Sequence, residues 1–393
     1  TYNEVINISP QPQASITLMD QYTGQIKAMV GGRGAKSTSL GLNRAYKGSK
    51  RQPGSTFKIL AAYAPALDLD EMTLASVIDD KNYDVGGGKT IKGSKGDVSM
   101  RTAIALSLNS CAVQTSDLVT QDVGMEYCEK LGISTLVTNK VVNGKTYSDN
   151  TKTLALGGLT DGVYNYELCS AYAAIANNGV YNKPTLYTKV LDHDGNVLLD
   201  GTGESHQAIK DSTAGLLTSA LQTVVEEGTG KACQLDNMPV AGKTGTTTSN
   251  KDLWFVGYTP NMVTAVWIGD DTSTNAGYTG GTIPATIFRD FMSQATASQS
   301  ASSFNIPASI QGELAKAQNE AKAADQQAQG DEAVPDQDTS TTETNTQDSG
   351  KNSQSRSSQD KSDSGKKHNS SQDQARRSAA KAGKNILDQV AGQ

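Results

Sequence analysis

At about Ser298 the 393-residue sequence changes character, and that break decides how much of the chain can fold. Before it, apolar runs alternate with glycine-marked turns; after it the residues are Ala, Ser, Gln, Asp and Lys, with scarcely any aromatic side chains. Such a composition cannot bury enough apolar surface to offset the entropy lost on ordering it. Residues 1–298 are therefore expected to form the folded domain and residues 299–393 a low-complexity, disordered extension. Two tail stretches, 312–328 and 375–390, have partly helical composition, but neither shows an apolar face wide enough to dock.

The net charge of -6 and pI near 5.2 leave no basic stripe to neutralise phosphates, which argues against nucleic acid as a partner. No apolar run approaches the roughly 20 residues of a membrane-spanning helix. The chain opens at Thr1, with neither an initiator Met nor a signal-peptide core, and reads as a processed or excised segment of something longer. Cys111, Cys128, Cys169 and Cys233 show no CxxC spacing and no neighbouring His, so a zinc site is not expected. They read as small buried apolar residues, although in an exported protein disulfides of undetermined connectivity are open to them.

Residues 14–30 alternate around Asp20–Gly24 as a hairpin would. Pro53-Gly54 then punctuates the chain before an apolar run of helical length, Phe57 to Leu67, which places Ser55 at or near a helix N-terminus. The pattern from Met72 to Gly179 is mostly helical, including 103–118 and 168–177. Strand character returns around Asp194-Gly195, a helix is expected over 212–227, and three strands follow at 239–244, 253–258 and 262–268, closed by a helix over 285–297. This order predicts an α/β fold of the α+β type: a central antiparallel sheet flanked by helices, with a helical lobe at about 60–180.

Three short motifs carry chemistry. In Ser55-Thr56-Phe57-Lys58 a helix brings the lysine amine onto the face of the serine hydroxyl, where an amine desolvated by the following apolar residues can act as base. Alone the pattern is weak, because it recurs in the polar tail at Ser358, Ser364 and Ser378. Ser107-Leu108-Asn109 places a hydroxyl and a carboxamide inside an apolar stretch. The competing Ser148-Asp149-Asn150 lies in a polar loop with no packing to hold it, so Ser107 and Asn109 are preferred. Lys243-Thr244-Gly245-Thr246 occurs once, and supplies a positive charge, a glycine permitting close backbone approach and two hydroxyls.

In this order the three motifs resemble those of penicillin-binding proteins and class A beta-lactamases. The likeness extends to Gln52–Lys58, Leu156-Gly157-Gly158, Val225–Gly230 and Asp252–Tyr258, which resemble the transpeptidase domain of class A, bifunctional penicillin-binding proteins over roughly residues 10–298. The resemblance implies a serine D,D-transpeptidase that cross-links peptidoglycan stem peptides on the extracytoplasmic face of the plasma membrane. Ser55 would attack a D-Ala-D-Ala donor, with Lys58 as base and Ser107 with Lys243 relaying the proton to the leaving amine. Asn109 would orient the donor amide, and Thr244 and Thr246 would hold its carboxylate. The N–H groups of Ser55 and Thr246 would form the oxyanion hole, and Gly245 would let the substrate approach.

An amine on a second stem peptide would resolve the acyl-enzyme, beta-lactam antibiotics would stall it, and no metal or other cofactor is implied. Class A members also begin with a membrane anchor and a glycosyltransferase domain, and neither is present in this chain. Three relatives of this chemistry remain open on sequence: a D,D-carboxypeptidase, a beta-lactamase and a penicillin sensor that acylates without turnover. A Ser-His-Asp hydrolase is disfavoured because His193, His206 and His368 all sit in polar connectors, turns or tail.

Overall fold

The computed structural model describes residues 11–34, 40–201, 203–272 and 274–331. Its centre is a five-stranded antiparallel sheet in the order Ala241–Thr246, Asp252–Tyr258, Val263–Gly269, β1 (Gln13–Met19), β2 (Ile26–Val30). The hairpin expected at the start of the chain is β1 and β2, and the second half of the sequence supplies the other three strands. β1 pairs with the last of them from Gln13 opposite Gly269 to Met19 opposite Val263. The two strands Asp252–Tyr258 and Val263–Gly269 are buried at every position, so both faces of the sheet must be covered.

Helix α5 (Asn165–Ala176) covers one face, and its Asn165 hydrogen-bonds with Thr17 at 2.6 Å and Ser15 at 3.3 Å. Helix α7 (Ile283–Ala295) covers the other, where Phe288 meets Phe255 edge-on at 4.9 Å between ring centroids. Strand alternation sorts Trp254, Val256 and Tyr258 into the α5-side core and Phe255 and Val266 into the α7-side core.

The region from 54 to 179 holds α1 (Ala64–Asp68), α2 (Met100–Ala105), α3 (Asn109–Val119), α4 (Gln121–Lys130) and α5. It is less purely helical than expected, since three small two-stranded sheets interrupt it, one of them pairing Val77–Asp80 with Gly96–Ser99. The helix expected over 103–118 is two helices. It breaks at 106–108, where Ser107 takes the left-handed φ of 58° that non-glycine residues rarely adopt. Helix α6 (Asp211–Glu226) packs against α2 and the edge strand Ala241–Thr246.

The stretch 312–328, expected to lack a docking face, differs. It belongs to α8 (Ala308–Asp331), which buries Ile310, Leu314, Ala317 and Ala321. That stripe is narrow, but Ile310 lies against Gly215 of α6, where the missing side chain admits it. Asp325 then accepts hydrogen bonds from Ser99 N at 2.8 Å, Ser99 Oγ at 3.0 Å and Thr102 Oγ1 at 2.7 Å, capping the start of α2. The second tail stretch, 375–390, lies outside the described residues.

Charge-assisted bonds of this kind contribute about 2 kcal/mol. Asp325→Ala is therefore expected to lower the melting temperature by roughly 4–8 °C. An unchanged melting curve would show that α8 does not hold α2.

Candidate active site

Ser55 sits in a 3₁₀ turn, Gly54–Thr56, that runs into a π-helical segment, Ile59–Tyr63, and then α1. Ser55 is partly exposed, whereas its neighbours Gly54 and Thr56 are buried. The turn is held from several sides. Thr56 Oγ1 donates to Pro53 O at 2.8 Å, Tyr172 of α5 donates to Thr56 O at 2.8 Å, and Trp254 Nε1 donates to Gln52 O at 2.8 Å. Gln52 itself exchanges two hydrogen bonds with the backbone of Leu159.

Two glycines make this packing possible. Gly157, at φ 67°, presses so closely on residue 54 that a Cβ would lie 2.4 Å from Gly54 O. A Cβ on Gly245 would lie 2.6 Å from Pro53 O and 2.9 Å from the Thr56 methyl. The close approach expected at Gly245 is thus made by the chain's own serine turn. It seats that turn against the edge strand Ala241–Thr246, with residue 54 in contact with the backbone of Thr246.

Behind Ser55, two lysines are fully buried. Lys58 Nζ donates to Ser107 O at 2.5 Å and to Asn109 Oδ1 at 2.6 Å, with Ser107 Oγ more distant at 3.4 Å. Lys243 Nζ donates to Ser107 Oγ at 2.7 Å and to Thr244 O at 3.1 Å. Ser107 therefore bridges the two amines, and the left-handed break between α2 and α3 is what turns its carbonyl to one and its hydroxyl to the other. Backbone held in a sparsely populated region at such a junction is a common mark of a working site.

Burial and then the repulsion of Lys243 push the Lys58 amine well below the ordinary lysine range. Burial pushes Lys243 down to about 7. In its neutral form the Lys58 amine has two N–H groups, which Ser107 O and Asn109 Oδ1 can take, leaving a lone pair to receive a proton. Lys243, poised near neutrality, can carry or release one.

The structure brings Lys58, Ser107, Asn109 and Lys243 into direct contact and sets Ser55 one helical turn before Lys58. Thr244 and Thr246 occupy the alternate side of their strand, the side shared with Phe255. Thr244 Oγ1 bonds Thr229 Oγ1 at 2.7 Å, and Thr246 Oγ1 accepts from Gly280 N at 3.0 Å. Thr229 was not singled out from sequence as a site residue. Its only signal is membership of the Val225–Gly230 segment.

Ser148-Asp149-Asn150 is not part of this cluster, though its loop is better packed than expected. Asp149 is buried and accepts from the backbone of Val137 at 2.9 Å and Thr160 at 2.6 Å, a structural task. His193 is exposed beside Asp194, His206 bonds Lys130 O at 2.8 Å, and His368 lies outside the described residues. All four cysteines are buried and free, and among the described residues no acidic, His or Cys cluster could hold a metal ion.

Comparison with known proteins identifies a family for residues 14–293. The family described as the penicillin binding protein transpeptidase domain matches residues 14–293. Penicillin-binding protein 1A of Clostridium perfringens is 37% identical over 297 residues, covering 71% of this chain and 42% of the relative. Its namesake in Clostridium acetobutylicum is 33% identical over 315 residues, covering 76% of this chain and 38% of that protein. The chain thus spans about two fifths of the length of these relatives. Among solved structures, the PonA1 protein of Mycobacterium tuberculosis in complex with penicillin V aligns with TM-score 0.63 and 26% identity, covering 76% of this chain and 81% of the other.

Lys243 offers a test that needs no assay of activity. Its folded value of about 7 lies below the ordinary 10.5. Between the two the unfolded chain holds a proton that the folded chain does not, so stability rises with pH across that window. Between pH 7 and pH 10 the unfolding free energy of the parent is expected to rise by on the order of 3 kcal/mol more than that of Lys243→Met, in which the contribution of Lys58 remains. Equal slopes in denaturant titrations would contradict an amine depressed by burial.

Proposed function

The chain belongs to the penicillin-binding transpeptidase family, and we propose on that premise that it is the cross-linking part of a bifunctional peptidoglycan synthase, acting through Ser55. The observation that carries this reading is the bridge of Ser107 between two buried, depressed lysines one turn behind a serine held at the edge of the sheet.

In the proposed reaction Ser55 Oγ attacks the penultimate carbonyl of a D-Ala-D-Ala donor while Lys58 Nζ takes its proton. The oxyanion collects on the backbone N–H groups of Ser55 and Thr246, whose neighbouring segments are in contact across Gly54. Collapse breaks the C–N bond. The leaving amine gains its proton from Ser107 Oγ, which is resupplied by Lys243, and D-alanine departs. Thr244 and Thr246 present two hydroxyls on one side of the strand to the donor carboxylate, with Thr229 fixing the first. An amine of a second stem peptide then attacks the ester carbonyl, its surplus proton passing through Ser107 to Lys243, and the C–O bond breaks as Lys58 returns its proton to Ser55 Oγ. Asn109, which holds Lys58, would also orient the donor amide.

A beta-lactam carries the same acyl and carboxylate groups and would be attacked by the same serine. Among the described residues no helix is long and apolar enough to cross a membrane. The proposed place of action is the extracytoplasmic face of the plasma membrane, where the stem peptides are, with anchoring and glycan polymerisation assigned to other parts of a longer protein.

Intact-mass measurement after incubation with a fluorescent penicillin tests the reading. The parent is expected to gain one adduct that persists for the time of the measurement, and Ser55→Ala none. Consumption of the penicillin without an adduct would point to hydrolysis instead, and an intact penicillin with no adduct would reject the assignment of Ser55.

A further inference from the structure

Beneath the site lies a carboxylate that the proposed reaction does not use. Asp80 ends the strand Val77–Asp80, is 3% exposed, and faces the first turn of α3. Its Oδ1 accepts a short hydrogen bond from Ser110 Oγ and lies 3.8 Å from Cys111 Sγ. Its Oδ2 accepts from the backbone of Ser94 and of Lys95, each at 3.1 Å. Ser110 and Cys111 directly follow Asn109, the residue whose Oδ1 holds Lys58 Nζ. The same strand is tied to α3 again by Gln114, which donates to Asp79 O at 2.8 Å.

The start of α3 needs such an anchor. Its N-cap residue, Leu108, has no side chain to cap it, and the turn before it is the strained one at Ser107. A carboxylate at this end also suits the helix dipole.

The groups surrounding Lys58 are Lys243 from the edge strand, Asp80 from Val77–Asp80 and Cys111 from α3, and Tyr63 in the π-helical segment also feels Asp80 and Cys111. Tyr63 OH is buried with no hydrogen-bond partner in the structure. Burial keeps its hydroxyl protonated, and burial pushes the Cys111 thiol up to about 12, so neither carries charge near neutrality. Burial by itself would raise the Asp80 carboxyl, but the bonds from Ser110, Ser94 and Lys95 outweigh it and hold it below its ordinary range. Asp80 is therefore the anion of this group and the counterweight to Lys243.

Resting on the transpeptidase reading, we infer that Asp80 is the positioning residue of the Lys58–Asn109 pair: its carboxylate pins the first turn of α3 so that Asn109 meets Lys58, and its charge offsets the repulsion of Lys243. It touches neither donor nor acceptor.

The test is the pH dependence of the acylation rate with a fluorescent penicillin, measured on the whole chain. The acid limb marks loss of the neutral Lys58 amine. Removing a nearby negative charge makes the ammonium less favourable, so in Asp80→Asn the limb is expected to move to lower pH by about half a pH unit or more. The plateau rate should fall by about tenfold as the anchor weakens. Ser110→Ala leaves the carboxylate held by Ser94 and Lys95 but loses one anchoring bond, so it should lower the plateau while moving the limb less than Asp80→Asn does, and it serves also if Asp80→Asn does not fold.

A limb in Asp80→Asn that stays put or rises overturns the inference, since a merely structural aspartate would let water reach Lys58 and raise its value. Parent-like acylation in Ser110→Ala also overturns it. A parent chain that acquires no adduct at Ser55 would sink the function proposed above and this inference with it, whereas failure confined to the variants sinks only the inference.

Discussion

Two lysine amines buried within reach of one serine hydroxyl are the constraint on which the rest of the structure depends. Water-free burial of an ammonium costs several kcal/mol, and two such groups repel. The chain meets that cost by letting the amines lose protons rather than by pairing each with its own carboxylate. Lys58 spends its N–H groups on Ser107 O and Asn109 Oδ1, and Lys243 spends its own on Ser107 Oγ and Thr244 O. An arrangement that disfavours the charged amine is one that favours the base, so the destabilising feature and the chemical capacity are the same feature.

The scaffold exists to keep that arrangement dry and fixed. The serine turn is pinned by Tyr172 from one helix, by Trp254 from the sheet and by glycine contacts too tight for any side chain. The break at Ser107 is supported on one side by α2, which α8 caps through Asp325, and on the other by α3, which Asp80 anchors. Each support lies on a packed strand or helix rather than a free loop, the condition under which hydrogen-bond geometry can be held to fractions of an ångström.

Much of this was legible in the residues, and what escaped did so for identifiable reasons. Hydrophobic alternation found the hairpin of β1 and β2 and the three later strands, because a sheet buried on both faces writes itself as apolar runs. Periodicity also ran straight through residues 103–118, since both halves of that stretch are apolar. Nothing in the pattern signals a left-handed serine, so the break that makes the site was invisible. The ordered motifs singled out Ser55, Lys58, Ser107, Asn109 and Lys243 from three tail decoys, and the structure joins four of the five directly. Asp80, Tyr172 and Thr229 act through contacts 15 to more than 100 residues away in sequence, which no local pattern reports. Helix α8 was undervalued because, among its described side chains, two of the four buried ones are alanines, which read as neutral until a glycine on α6 is found to receive the neighbouring isoleucine.

The central point is the depression of both amines by burial and, for Lys58, also by the neighbouring Lys243. It is tested most directly by following the side-chain carbon and nitrogen resonances of isotope-labelled lysine through a pH titration, with Lys58 and Lys243 assigned by single substitution. Lys58 is expected to titrate well below the exposed lysines, and Lys243 to change charge near pH 7. Two amines that both titrate with the exposed lysines, above about pH 10, would contradict it.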